Sequence, residues 1–283
     1  MEPERFVIET GAERITSRAN PKTVLFAGLA DRKKREEAGL FLAEGVKLTR
    51  DALEAGFPIR AILLAEGALE KSPEAVRLAR DACECGIPLT LFADTAFEKI
   101  STEKAPQGII AVPVLPEKRN GGDLDRWAVG KRLLMLDEIR DPGNLGTILR
   151  SAEALGTGGV ILSGCADPYQ PKAVRAAMGT IFRLPLWIAE DGAACVKSLK
   201  SAGRRVLAAA LGENDLTLGD FEPLPGDVPV IGNEGHGISK AVLAEADACL
   251  RIPMTGGAES LNASAAAACI LWEYYRELRH ADR

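Results

Sequence analysis

The sequence predicts an α/β protein whose second half is built on a mostly parallel sheet. Three observations carry that reading. From Phe41 onward, short β-like runs alternate with runs of helical period. Capping chemistry punctuates the helical runs, with glycine at C-terminal ends (Gly56, Gly156) and Ser72-Pro73-Glu74 at a start. A polar stretch over 116–123, Pro-Glu-Lys-Arg-Asn-Gly-Gly-Asp, interrupts the alternation near the middle.

Residues 41–43 lead into a helix over 44–55, where Val46, Leu48, Ala52 and Leu53 share an apolar stripe. Residues 59–64 read as a buried strand, 72–85 as a helix, and 89–92 and 109–114 as further strands. The 116–123 stretch lacks apolar periodicity and reads as an interdomain linker, with an ordinary surface loop as the alternative. The second half restarts with a strand over 133–136. A helix over 144–155 follows, with Leu145, Ile148, Leu149, Ala152 and Leu155 on one face. Next come a strand over 160–162, a helix over 172–178, a strand over 184–188 and a helix ending at 202. Strands over 206–211 and 228–231, a short helix from 239, a strand over 249–252 and a long last helix complete the chain. Strands alternating with helices of this length imply a parallel sheet covered on both faces.

Composition excludes several classes. The 283 residues, 47% hydrophobic and 27% charged, suit one large or two medium globular domains. The acidic start, Met1-Glu2-Pro3-Glu4-Arg5, is no secretory n-region. No run approaches the roughly 18 apolar residues of a membrane span. Six scattered cysteines read as reduced thiols of a cytoplasmic protein. With only His236 and His280 present, neither a His-rich metal site nor a Ser-His-Asp triad is expected, and no metal is assigned. The net charge of -5 argues against nucleic acid only until it is located. Residues 212–247 hold eight acids and one base, Lys240, so the rest of the chain is slightly basic.

Ligands of open α/β sheets sit beyond the carboxyl ends of the strands. Three second-half loops at such ends are rich in polar residues: Asp137 to Asn144, feeding a helix with Arg150; Gly232 to Gly237; and Ile252 to Ser264. Singly, each has a bland reading as a turn, an N-cap or a solvated helix residue. Together they exceed turn chemistry, which has no use for Asn144, Arg150, Glu234 and Asn262. Gly232-x-x-Gly235-x-Gly237 reverses the dinucleotide fingerprint, and Gly156-Thr157-Gly158-Gly159 precedes a strand rather than a helix, so neither marks a nucleotide-phosphate site.

In this order, the loops resemble the three signature motifs of the SpoU (TrmH-like) RNA ribose 2′-O-methyltransferases of the SPOUT class. The matches are Leu136-Asp137-x-x-x-Asp141-Pro142-x-Asn144-x-Gly146-x-x-x-Arg150-x-Ala152, then Gly232-Asn233-Glu234-Gly235-x-Gly237-Ile238. The third is Ile252-Pro253-Met254-x-Gly256-x-x-Glu259-Ser260-Leu261-Asn262-Ala263-Ser264-x-Ala266, where Ala263 replaces a common valine. The resemblance covers residues 131–283. Phe41-Leu42-Ala43-Glu44-Gly45 and Ala105-Pro106-Gln107-Gly108-Ile109 look more loosely like a small α/β substrate-binding domain of ribosomal-protein type.

The resemblance implies an RNA-binding domain over 1–116, a linker over 117–130 and an α/β trefoil-knot methyltransferase domain over 131–283. It implies S-adenosylmethionine as cofactor, held at Gly232, Ile252, Leu261 and Leu211, with Asn233 and Gly235 beside them. Its catalytic residues fall on Asn144, Arg150, Glu234, Ser260 and Asn262, and its members are homodimers. The substrate class is RNA, most readily 23S-type ribosomal RNA. Transfer RNA, base methylation, or a catalytically silent RNA-binding or ribosome-assembly protein are the alternatives. The chemistry requires oxygen, methyl and sulfur in line and removal of the hydroxyl proton. Free guanidinium has a pKa above ~12, so Arg150 is expected to orient the 2′-oxygen and adjacent phosphate rather than act as a simple base. Asn144 and Glu234 would hold its guanidinium, while Ser260 and Asn262 position the nucleotide. Arg32-Lys33-Lys34-Arg35 reads either as a phosphate-contacting patch or as a solvated helix face beside Glu36 and Glu37.

Overall fold

A computed structural model describes residues 2–117, 124–212, 215–256 and 260–278. The expected linker's 118–123, the third motif's Glu259 and His280 lie outside the described residues. The chain forms two compact units. One is Met1–Pro116 with Asp167–Arg183, the other Glu117–Ala166 with Leu184–Arg283.

The first unit is a mixed five-stranded sheet of β1 (Glu13–Ile15), β2 (Ala43–Glu44), β3 (Ile59–Ala65), β4 (Leu89–Phe92) and β5 (Ile109–Pro113), in the order β1-β4-β3-β5-β2. β1, β4 and β3 run parallel, whereas β5 is antiparallel to both β3 and β2. β3 is apolar from Ala61 to Ala65 and fully buried there, as a strand covered on both faces must be. Helices Val46–Glu54 and Pro73–Glu84 stand close to their expected positions, the second opened by Ser72 Oγ accepting from the Ala75 N–H at 3.4 Å. The expected helix over 44–55 gives up its first residue, because Glu44 pairs with Ile110 in the sheet. Helices Pro3–Thr10, Pro21–Gly28 and Asp94–Ile100 lack a conspicuous sequence signal and were not expected.

Residues Asp167–Arg183 complete this unit. Their helix Pro171–Ala177 buries Ala173, Val174 and Ala177, and Phe182 sets its ring 5.2 Å from that of Phe57 and 6.3 Å from that of Phe41. Helix Arg32–Ala38 corrects the expected basic patch. Arg32, Lys33 and Lys34 are exposed, but Arg35 is 2% exposed and its guanidinium bonds the Leu29 and Ala30 carbonyls and Asp167. Arg35 therefore faces no solvent and offers no donor to a phosphate. Arg32 and Lys33 pair with Glu36 and Glu37 one helical turn on.

The second unit is a seven-stranded sheet, parallel throughout. Its strands are β6 (Leu133–Asp137), β7 (Gly159–Ser163), β8 (Leu186–Ala189), β9 (Val206–Ala208), β10 (Asp215–Thr217), β11 (Val228–Ile231) and β12 (Ala248–Arg251), in the order β10-β12-β9-β11-β6-β7-β8. Helices Pro142–Ala154, Gly192–Ser201, Lys240–Glu245 and Ala263–Leu278 stand close to the expected positions. The strand expected over 206–211 stops at Ala208, because the Ala210 N–H turns back to the Ala208 carbonyl at 2.8 Å. The Leu124–Ala128 helix and β10 were not expected. The connection from β7 to β8 contains the Asp167–Arg183 excursion, so its helix belongs to the first unit instead of covering the sheet that it joins.

A buried network ties the sheet to the last helix. Asp227 accepts from Arg205 Nε at 2.8 Å and Nη2 at 2.7 Å, from the Leu224 N–H at 3.0 Å, and from the Tyr274 hydroxyl at 3.1 Å. Burial, reinforced by the Asp227 charge, raises the Tyr274 pKa and keeps that hydroxyl protonated.

Candidate active site

Strand β6 ends at Asp137, whose buried carboxylate accepts from the Ser239 N–H at 2.8 Å and so pins the loop after β11 to the loop after β6. The next residue, Glu138, has a φ of 57°, an uncommon backbone for a side chain other than glycine or asparagine. Bonds on both sides of its peptide hold it there. Its N–H donates to the Ser163 carbonyl at 2.8 Å, and its carbonyl accepts from Asn233 Nδ2 at 3.0 Å. Asp141 then caps helix Pro142–Ala154 by accepting from the Asn144 N–H at 2.9 Å, with Pro142 in the first turn.

The second loop folds on itself. Asn233 and Gly237 exchange backbone hydrogen bonds of 2.9 and 3.0 Å, and Asn233 Oδ1 accepts from the Gly235 and His236 N–H groups. Gly232 admits no larger residue, since a Cβ there would lie 2.4 Å from the Gly237 carbonyl carbon and the Ile238 nitrogen. In the third loop Asn262 opens helix Ala263–Leu278, its Oδ1 accepting from the Ser264 N–H at 2.9 Å and Oγ at 2.6 Å.

These loops converge through one directed relay. Asn262 Nδ2 donates to Asn144 Oδ1 at 3.2 Å, and Asn144 Nδ2 donates to Glu234 Oε1. Both ends fix the direction. The Ser264 N–H can only donate, and the Glu234 carboxylate can only accept, so each amide has one workable orientation. Asn144, Glu234 and Asn262 are thus brought together from positions up to 118 residues apart. Arg150 lies exposed on the same helix as Asn144. One expectation needs correction here. Asn144 and Glu234 bond each other instead of the Arg150 guanidinium, because the amide satisfies the carboxylate directly. Ser260 is exposed just before Asn262.

The other expected contacts also cluster. Gly232 and Ile252 directly follow β11 and β12, and Leu211 follows β9 by three residues. β12, β9 and β11 are adjacent and parallel, so all three positions fall at one edge of the sheet. Leu211, Met254 and Leu261 leave large apolar side chains exposed on those loops, at 73%, 41% and 38%. Exposed apolar groups gathered beside a polar relay mark a ligand surface. The sequence reading named Asp137 and Asn233 but missed what they do, which is to join the first and second loops. The only signal for it was their place directly at strand ends.

A family model for the SpoU rRNA Methylase family matches residues 131–272, and one for an MRM3-like substrate binding domain matches residues 20–111. A 23S rRNA (uridine(2479)-2′-O)-methyltransferase of Streptomyces viridochromogenes is 37% identical, over 94% of this chain and 93% of its own. The 23S rRNA (guanosine(2553)-2′-O)-methyltransferase RlmP of Bacillus subtilis is 31% identical, over 92% of this chain and 98% of its own. Among solved structures, the SpoU methyltransferase AviRb from Streptomyces viridochromogenes in complex with AdoMet is similar, with a TM-score of 0.78 and 31% identity over 93% of this chain and all of that one.

Proposed function

The chain belongs to the SpoU rRNA methylase family, and we propose that it transfers a methyl group from S-adenosylmethionine to a ribose 2′-hydroxyl of 23S-type ribosomal RNA. The observation that carries the reading is the relay of Asn262, Asn144 and Glu234, built from all three motif loops on the helix that carries Arg150. The cofactor supplies a methyl group on a sulfonium, which leaves readily. Gly232, Asn233, Gly235, Ile252, Leu261 and Leu211 would hold it. The fit rests on the loop at Gly232, which a Cβ would obstruct, and on the exposed apolar side chains of Leu211 and Leu261.

Arg150 presents its planar fork to the 2′-oxygen and the neighbouring phosphate, and thereby orients the attacking lone pair. The relay holds Asn144 and Glu234 rigid beside it, and Ser260 and Asn262 position the nucleotide. The 2′-hydroxyl is the group that distinguishes RNA from DNA.

Residues 1–116 supply RNA affinity, with Arg32, Lys33 and Lys34 toward phosphate. Residues 131–283 carry catalysis, and 117–130 join the two. The parallel order β12-β9-β11-β6, followed by a last helix returning to helix Pro142–Ala154, supports the trefoil knot of the family. Half-exposed Trp272, 5.7 Å from the Tyr275 ring, supports a homodimer through the last helix. Six free cysteines support a cytoplasmic location; among the described residues no helix is long and apolar enough to cross a membrane.

The test is incubation of unmodified 23S ribosomal RNA with isotope-labelled S-adenosylmethionine, followed by nucleoside mass spectrometry. A labelled 2′-O-methylnucleoside is expected. Label on a base, on transfer RNA alone, or nowhere would contradict the reading.

A further inference from the structure

Helix Arg32–Ala38 is built differently on its two sides. Its outer side carries Arg32, Lys33 and Lys34, while Arg35 is turned inward. The Arg35 guanidinium donates from Nη1 to the Leu29 and Ala30 carbonyls at 2.8 Å each and from Nη2 to Asp167 Oδ2 at 2.5 Å. The two side chains are 3% and 16% exposed, and Arg35 Nε is buried without a partner. Stability alone does not account for such a pair, because apolar residues of similar volume commonly serve as well or better. What a charged pair adds is direction: it fixes where Asp167 sits.

Asp167 is the first residue after a stretch hydrogen-bonded to the catalytic loop. The Ala166 N–H donates to the Ile139 carbonyl at 2.8 Å, and the Glu138 N–H donates to the Ser163 carbonyl at 2.8 Å. Glu138 is also the residue with the left-handed backbone, and it opens the loop that leads to Asn144 and Arg150. Further along the same excursion, Arg175 donates to Thr102 Oγ1 at 2.8 Å and pairs with Glu103 at 2.6 Å. Thr102 is itself held by the buried carboxylate of Glu44 at 2.9 and 3.0 Å. The motif segments around Glu44 and Gln107 thus hold chain from beyond residue 166.

We infer that Arg35 is a positioning residue for methyl transfer: its ion pair with Asp167 fixes the 163–166 stretch on which the 138–144 loop is hung. The role rests on the methyltransferase reading for its rate, but the hold on the loop can be measured without it. The experiment compares the full-length chain with the double variant Arg35→Met, Asp167→Leu, which replaces the pair by apolar bulk.

The expected result is a melting temperature close to wild type and RNA and S-adenosylmethionine affinities within about twofold. The single-turnover methyl transfer rate at saturating substrates falls about tenfold, and amide exchange accelerates in peptides spanning 138–141 and 163–166. Exchange unchanged in those peptides overturns the inference, whether or not the wild-type chain methylates RNA. Faster exchange with an unaltered saturated rate also overturns it. A wild-type chain that transfers no methyl group defeats the function reading instead, and the exchange comparison still decides the hold on the loop. Should the double variant not fold, Asp167→Asn is read by the same two measurements.

Discussion

The motif segments of the two units use polar side chains in opposite ways. In the second unit, Arg150, Glu234, Ser260 and Asn262 are exposed and Asn144 is half-buried, all joined to rigid loop backbone. In the first unit, Arg35, Glu44 and Asp51 are buried and bonded to other parts of the protein. Both sets are rich in charge and stand out in the sequence. The exposed set is placed to meet a ligand, and the buried set is placed to hold chain. Exposure, which the sequence alone does not reveal, separates the two uses.

The largest effect that would sharpen this contrast is expected at Asn144→Ala. Removing the centre of the relay frees both Glu234 and Asn262, so methyl transfer should fall about 100-fold, or roughly 2.7 kcal/mol of transition-state stabilisation. The melting temperature should barely move, because the Asp141 cap bonds the Asn144 backbone and survives. Single-turnover kinetics beside a thermal melt checks both. A large loss of stability with an unaltered rate would break the contrast.

The buried counterpart is Asp227→Asn. It weakens the hold on Arg205 and Tyr274 and should lower stability by about 1–3 kcal/mol in urea unfolding. The rate per folded molecule should not change, since none of these side chains belongs to the relay. The half-exposed Arg205 keeps the loss below that of a fully buried pair.

A milder effect should appear in alkali. Burial pushes the Cys165 thiol up to about 12 from the model value 9.0, and Tyr274 is raised as well. Both groups bind their protons more tightly in the folded chain. Their stabilisation is complete below the unfolded pKa and is lost as pH rises through the folded value. Stability should therefore decline from about pH 9 toward 12, and Cys165→Ala should flatten the part due to the thiol. A chevron or melt series across that range measures it.

The smallest effect is expected at Lys33→Ala. Its pair with Glu37 is 3.9 Å long with both partners exposed, so folding stability should change by less than about 0.5 kcal/mol. RNA affinity and its salt slope should drop slightly.

Much of the fold was legible where residues answer to a local rule. β3, β4, β5, β6, β7 and β11 are short apolar runs bounded by turns, and they stand within a residue or so of the expected positions. β1 and β10, with the sequences Glu-Arg-Ile and Asp-Leu-Thr, are strands only because a neighbour pairs with them. The site was legible as three loops through family resemblance, whereas the bond from Asn144 to Glu234 spans 90 residues and obeys no spacing rule. Arg35 shows the same limit. In a run of four bases it looks like its neighbours, and only Asp167, 132 residues away, makes it a core residue.

The central claim is that the exposed Arg150 orients the reacting oxygen through its planar fork. It is tested most directly by the single-turnover rate of Arg150→Lys on unmodified 23S ribosomal RNA with saturating S-adenosylmethionine. Lysine keeps the charge and loses the fork. The rate should fall by about 100-fold or more while RNA and cofactor affinities stay within about threefold of wild type. A near-wild-type rate in that variant would contradict the account.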